Sequence, residues 1–225
     1  MNIIDIINEE ISKVLFEGIV WFHGSDDARE LKQNGFQEKT STTEYISDPE
    51  EWYNLQNQMK SASNTDEKLY FELLDQAGAL RKSMTYKKPI YFSDNRSVAS
   101  TYKDEKQAFD YQNSEPALLQ AEINDSGNIL KVNAQGERFR GIRADVVKHA
   151  LINAGITEKV VDKFFRMFPT DIRNNKMSSE TLGIIAQQMG FDIIDVQGVL
   201  DSYHGGSTKS NIRMVFDPQR ITVIN

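Results

Sequence analysis

Residues 89–102 read PIYFSDNRSVASTY, and the rest of the chain is organised by how that stretch is understood. The apolar, aromatic run Ile90-Tyr91-Phe92 has the character of a strand end. Ser93-Asp94-Asn95 stops it, and Ser93 or Asp94 is placed to N-cap the helix that follows. Val98, Ala99 and Tyr102 fall on nearby faces of that helix. Tyr91 leaves the sheet and Tyr102 leaves the helix, so both rings can meet at the strand–helix junction. Two rigid aromatic faces at one cleft suit a flat ligand such as nicotinamide, because stacking needs broad planar surfaces. The competing reading makes both tyrosines core residues with buried hydroxyls.

Upstream, Gly18-Ile19-Val20-Trp21-Phe22 forms a short apolar strand, and His23-Gly24-Ser25 breaks it. An imidazole donates and accepts at once, and glycine lets a backbone approach a ligand closely. A plain turn cap is the alternative for His23. Downstream, residues 212–216 form a late strand followed by Asp217-Pro218.

Together these stretches resemble the ADP-ribosyltransferase-like fold, in its diphtheria-toxin and poly(ADP-ribose)-polymerase branch. That branch carries His-Gly-Ser or His-Gly-Thr on an early strand. It then has Tyr-Phe-small-Asp with a second tyrosine eleven residues after the first, as Tyr91 and Tyr102 are here. The layout is closest in style to phage-borne and mobile-element members. GFDIIDV at 190–196 and the Phe-Asp-Pro stretch at 216–218 belong to that likeness.

The resemblance implies an α+β fold, with a split, clamp-like mixed β-sheet pair and helical insertions. It implies NAD as substrate, with His23 on a hydroxyl of the nicotinamide ribose and the Gly24 backbone on the nicotinamide amide. Ser25 supports that geometry, Tyr91 and Tyr102 stack on the ring, and Phe92 and Ser97 complete the lining. Two positions depart from the pattern. Ile212 stands where a glutamate is usual, leaving Ser210 and Asn211 as the candidate catalytic groups, able to hydrogen-bond the ribose but carrying no charge. Ala99 stands where a serine is usual, flanked by Ser97 and Ser100.

The activity implied is NAD-dependent mono-ADP-ribosyl transfer to a macromolecular acceptor, protein ahead of nucleic acid. Three other readings stand beside it. They are a catalytically inactive NAD-binding or protein-binding module, an NAD glycohydrolase, and a structural or virion-packaged protein.

Composition narrows the field. The 225 residues are 39% hydrophobic and 26% charged, which fits a single domain over 1–225. No apolar run approaches the roughly 20 residues of a membrane span. The first residues lack the basic start and small-residue site of a signal peptide, so the expected location is cytoplasmic, in a host if phage-derived. There are no cysteines, which excludes disulfides and thiolate chemistry. The net charge of −7 disfavours a general nucleic-acid coat. His23, His149 and His204 share no metal-ligand spacing with nearby acids, and no metal is expected.

Along the rest of the chain, residues 3–15 carry a helical stripe of Ile3, Ile6, Ile7, Ile11, Val14 and Leu15. Residues 26–35 read as a short helix and 40–43 as a short strand or loop. Residues 43–88 form a helical insertion with helices over 48–60 and 67–80. It is either a lid over the cleft or a surface hairpin. Residues 117–123 and 129–132 read as a hairpin-like pair about the turn Asp125-Ser126-Gly127-Asn128. Helices follow over 145–154, from Thr157 to near Pro169, and from Ser178 to Gly190. Residues 191–196 form a strand, 198–210 a loop, and 221–224 an edge strand.

Overall fold

The computed structural model describes residues 20–25, 28–63, 65–100, 117–169, 171–200 and 208–224. The helix expected over 3–15, Tyr102 and His204 lie outside them. The architecture is mixed α+β. Seven strands form one ladder: β1 (Trp21–Ser25), β4 (Ile90–Ser93), β5 (Ala117–Ile123), β6 (Ile129–Asn133), β10 (Ile193–Leu200), β11 (Lys209–Val215) and β12 (Ile221–Val223). Their order is β12-β5-β1-β4-β11-β10-β6. Every neighbouring pair is antiparallel except β10 with β6.

The ladder has a seam. β1 and β4 meet at one pair, Phe22↔Ser93, whereas β1 and β5 pair along the whole of β1. Three strands therefore lie on one side of the seam and four on the other.

The sheet also curls. β5 and β6 are five places apart in the order, about 24 Å on a flat sheet. The five residues 124–128 between them reach only about 20 Å when extended. The expected hairpin of these two strands is thus replaced by a crossing between distant parts of the sheet. Ile123, Ile129 and Ile221 accordingly pack into one cluster with Trp21, Phe92, Ala121, Ile193 and Val215. That cluster fills the concave face.

The other face carries the main core. Ile212 and Met214 of β11, with Leu130 and Val132 of β6 and Ile194 and Val196 of β10, meet three helices there. These are α5 (Ala144–Asn153), α6 (Glu158–Met167) and α7 (Ser179–Gln188). Ser178 N-caps α7, accepting from the Thr181 amide at 3.0 Å, as the Ser-x-x-Thr start of an apolar run invites. A small three-strand sheet, β7 (Ile142–Arg143), β8 (Ile172–Arg173) and β9 (Lys176–Met177), edges this layer. α1 (Ala28–Asn34) ends at Gly35, whose φ of 67° stops it.

The insertion over 43–88 is only partly helical. β2 (Thr40–Ile46) and β3 (Arg81–Lys87) pair as an antiparallel ribbon, and a helical hairpin grows from it. Its helices are α2 (Pro49–Ala62) and α3 (Glu67–Ala79). Asp48 caps α2 by accepting from the Glu51 amide at 3.1 Å, and Asp66 caps α3 through the Leu69 amide at 3.0 Å. Leu55, Met59, Ala62, Leu73 and Ala77 give the hairpin a small core of its own. Among the described residues, no helix is long and apolar enough to cross a membrane.

Candidate functional site

His23-Gly24-Ser25 does not break the first strand; all three residues lie within β1. His23 pairs with Leu119 and Gly24 with Leu118 across β5. On the β4 side the ladder has already ended at Phe22. There the Tyr91 carbonyl accepts from His23 Nδ1 at 2.8 Å. A carbonyl can only accept, so Nδ1 carries the proton, and Nε2 is the acceptor of the neutral ring. A side chain thus stands in for a ladder bond at the point where the strands part.

The imidazole is held by rings as well. Its centroid lies 4.9 Å from that of Phe36, edge-on, and 5.4 Å from that of Phe92. Phe36 and Phe92 meet at 5.4 Å. Phe92 is almost fully buried in the concave cluster, so it supports His23 and is closed to a ligand, contrary to its expected place in the lining. Alternation fixes the next residue: Tyr91 leaves β4 on the opposite, helix-covered face. Its ring sits edge-on to Phe139 at 5.7 Å and stays 37% exposed. Its phenol is pushed up to about 12, first by burial. Ser179 hydrogen-bonds the phenol and opposes the shift, while Glu180 and Tyr86 reinforce it. Tyr86 donates to Glu180 Oε1 beside it, and burial also raises the Tyr86 phenol. His23 and Tyr91 are therefore joined through a backbone carbonyl, with their side chains on opposite faces.

Neither Ser93 nor Asp94 caps the helix after β4. Residues 96–100 are helical, and Asn95 caps them by accepting from the Ser97 amide at 2.9 Å. Asp94 is taken by Asn211. Its two carboxylate oxygens accept from the Asn211 amide N–H at 2.8 Å and from Asn211 Nδ2 at 2.7 Å. Asn211 Oδ1 in turn accepts from the Gly198 N–H at 2.9 Å. Gly198 sits at φ 66° in the irregularity where the β10–β11 register shifts, a conformation that favours glycine. Asn211 thus ties β11 to β4 and to the bulge, instead of standing ready for a ribose.

Ile212, at the position of the usual acid, is 3% exposed and lies in the main core. Ser210 is also buried, and its Oγ has no hydrogen-bond partner. Ser97 is exposed on the helical turn. Ser25 ends β1, and its side chain lies outside the described residues.

Sequence reasoning passed over a second polar cluster, on the concave face. Arg213 is buried with its guanidinium 4.3 Å above the Trp21 ring. It pairs with Asp125 and with Asp195 at 3.4 Å. The signal was alternation: Arg213 sits between Ile212 and Met214 in a strand buried on both faces, where a charge needs a partner. This cluster joins the β5–β6 crossing to β11 and pins the curl.

No protein-family model, curated protein or solved structure matches the chain. Among the described residues, no group of three or more His, Asp or Glu side chains is placed to hold a metal ion.

Proposed function

We propose that the chain is an NAD-dependent mono-ADP-ribosyltransferase acting on a macromolecule, a protein rather than a nucleic acid. In this reading the sheet is a split clamp of the ADP-ribosyltransferase-like kind. One observation carries it: the His23 imidazole occupies the Tyr91 carbonyl where β1 and β4 part. The two motifs meet there. Gly24 pairs with Leu118 of β5 and lies two residues beyond the one β1–β4 pair, at the edge where this reading seats the nicotinamide amide. In this reading NAD lies through the opening between β1 and β4, where His23 Nε2 serves the ribose from one face and Tyr91, with Tyr102, supplies ring faces from the other.

The reaction is dissociative. The bond from ribose C1′ to the nicotinamide nitrogen breaks, its electron pair leaves with neutral nicotinamide, and a nucleophile of the acceptor bonds to C1′. Positive charge builds on the sugar between those events and calls for nearby negative charge or oriented dipoles. Ile212 supplies neither. A carboxylate of the acceptor fills that role in this proposal, and the buried, unpartnered Ser210 hydroxyl is the polar group two residues before Ile212 on the same face of β11. The chain's net charge of −7 favours a protein acceptor over a phosphate backbone.

A second reading, an NAD-binding module without chemistry, is favoured by the burial of Ile212 and the engagement of Asn211. Incubation with adenine-labelled NAD and a cell lysate separates the readings. Label on protein supports transfer, and free ADP-ribose without labelled protein supports hydrolysis. Calorimetric binding without turnover supports the module. Wild-type protein that is folded and binds no NAD overturns all three. NAD affinity is expected in the micromolar to millimolar range. Ser210→Ala is expected to slow turnover at an unchanged melting temperature; a change in stability alone would make Ser210 structural.

A further inference from the structure

The helical hairpin carries an exposed surface that the cleft does not account for. Eight large hydrophobic residues are exposed among the described residues, and four of them, Tyr53, Leu69, Phe71 and Leu74, lie on α2 and α3. Phe71 is 52% exposed and Leu74 43%. Phe71, Leu74 and Gly78 follow i, i+3, i+7, so they share one face of α3. A side chain added at Gly78 would meet nothing within 4 Å. Tyr70 packs edge-on to Phe71 at 5.7 Å, and Trp52 packs edge-on to Tyr53 at 5.3 Å. The hairpin needs none of the exposed residues for itself, because Leu55, Met59, Leu73 and Ala77 already close its core.

The frame around this apolar face is acidic. Residues 48–79 hold seven acidic and two basic side chains, a net −5 within the chain's −7. Asp75 and Glu67 stand on α3 beside Phe71 and Leu74, and both are exposed. An exposed apolar face marks an interaction site, and its mainly acidic rim, where Lys68 is already paired with Glu72 at 3.8 Å, selects its partner by charge.

We infer that the α2–α3 hairpin is a docking arm for a basic amphipathic helix of a partner protein. The apolar stripe of the partner lies along Phe71, Leu74 and the open Gly78 step, and its lysines and arginines face Glu67 and Asp75. Helix-on-helix docking of this kind needs anchors three and four residues apart, which is the spacing α3 presents. The inference is independent of the chemistry at β1 and β4.

The probe is a labelled synthetic peptide of about 18 residues, five helical turns, with a Leu/Phe stripe and lysine elsewhere. Its controls are a scrambled sequence and a version with glutamate in place of lysine. Anisotropy titrations with the whole chain are expected to show binding of the basic helix, weakening as salt rises. The doubly substituted Phe71→Asp, Leu74→Asp chain is expected to bind at least about tenfold more weakly. Both residues are exposed, so circular dichroism and melting should stay as in wild type. Asp75→Lys, which leaves the apolar face intact, is expected to weaken binding and flatten its salt dependence.

Four results would overturn the inference. The scrambled or acidic peptide could bind as tightly as the basic helix. The double substitution could leave affinity unchanged. Sedimentation could show the chain self-associating through Phe71 and Leu74, which would make a second copy the occupant. Neutral lipid vesicles could compete with the peptide through the same residues.

Discussion

β4 and β11 lie side by side, Ser93 opposite Ile212 and Tyr91 opposite Met214, yet they treat the proposed cleft in opposite ways. β4 turns Tyr91 outward enough to leave it 37% exposed and gives its carbonyl to His23. β11 places Ile212 in the main core and spends Asn211 on Asp94 and Gly198. The strand that would hold a planar ring is open, and the strand that would supply charge is closed. Recognition and charge stabilisation are separable duties, and here they sit on adjacent strands with different packing.

The sharpest way to break the contrast is to force charge onto β11. Ile212→Glu removes a buried aliphatic side chain, worth about 2–5 kcal/mol when truncated, and puts a carboxyl among apolar neighbours, which costs more. The expected loss is at least about 4 kcal/mol by urea denaturation, and Ile212→Val should lose only about 1 kcal/mol. An Ile212→Glu chain with a wild-type midpoint and faster nicotinamide release would place residue 212 in the cleft and erase the difference between the strands.

Next in size is the clamp between the two strands. Asn211→Ala keeps the backbone N–H that Asp94 accepts from, but removes its Nδ2 donor and leaves the Gly198 N–H without its acceptor. Bonds to charged groups are worth about 1.5–3 kcal/mol, so a loss of about 2–3 kcal/mol is expected, with Asp94→Ala close to it. Turnover should fall in proportion to the folded fraction. An Asn211→Ala chain that melts as wild type but turns over slowly would return Asn211 to the ribose.

The elements were largely legible where local chemistry decides them. The helices read over 48–60 and 67–80 are present, and Asp48 and Asp66 start them by taking the free amides of a first turn. Apolar residues over 117–123 announced β5. What failed was decided by distant partners. β3, RKSMTYK, buries only Tyr86 fully, so alternation is faint, and its strand state comes from pairing with β2. The turn 125–128 looked like a hairpin because turn residues report a change of direction, not which strand comes next. Curling of the sheet sends the chain across to β6 instead. Asp94 looked like a cap because nothing local shows that Asn211 lies beside it. At the candidate site, the strand that carries Tyr91 was readable. The burial of Phe92 and the engagement of Asn211 needed the sheet.

The smallest expected effect tests the open side of the comparison, through pH. Burial foremost pushes the Tyr91 phenol from its ordinary 10 up to about 12. The unfolded chain ionises this phenol near 10, while the folded chain keeps it protonated to about 12. The folded state therefore binds more protons between those values, and its stability falls as pH rises through them. Below pH 10 the contribution is whole; above 12 it is gone. Tyr91→Phe cannot ionise, so its alkaline loss of stability should be shallower than wild type between pH 10 and 12. Some loss should remain, because the Tyr86 phenol is raised as well. The effect is modest, since a ring 37% exposed is partly screened by water. NAD affinity should survive Tyr91→Phe, which keeps the stacking face, and fall in Tyr91→Ala. Identical alkaline limbs for wild type and Tyr91→Phe would put the phenol in water, away from Ser179 and Glu180, and β4 would then be more open than its contacts with α7 imply.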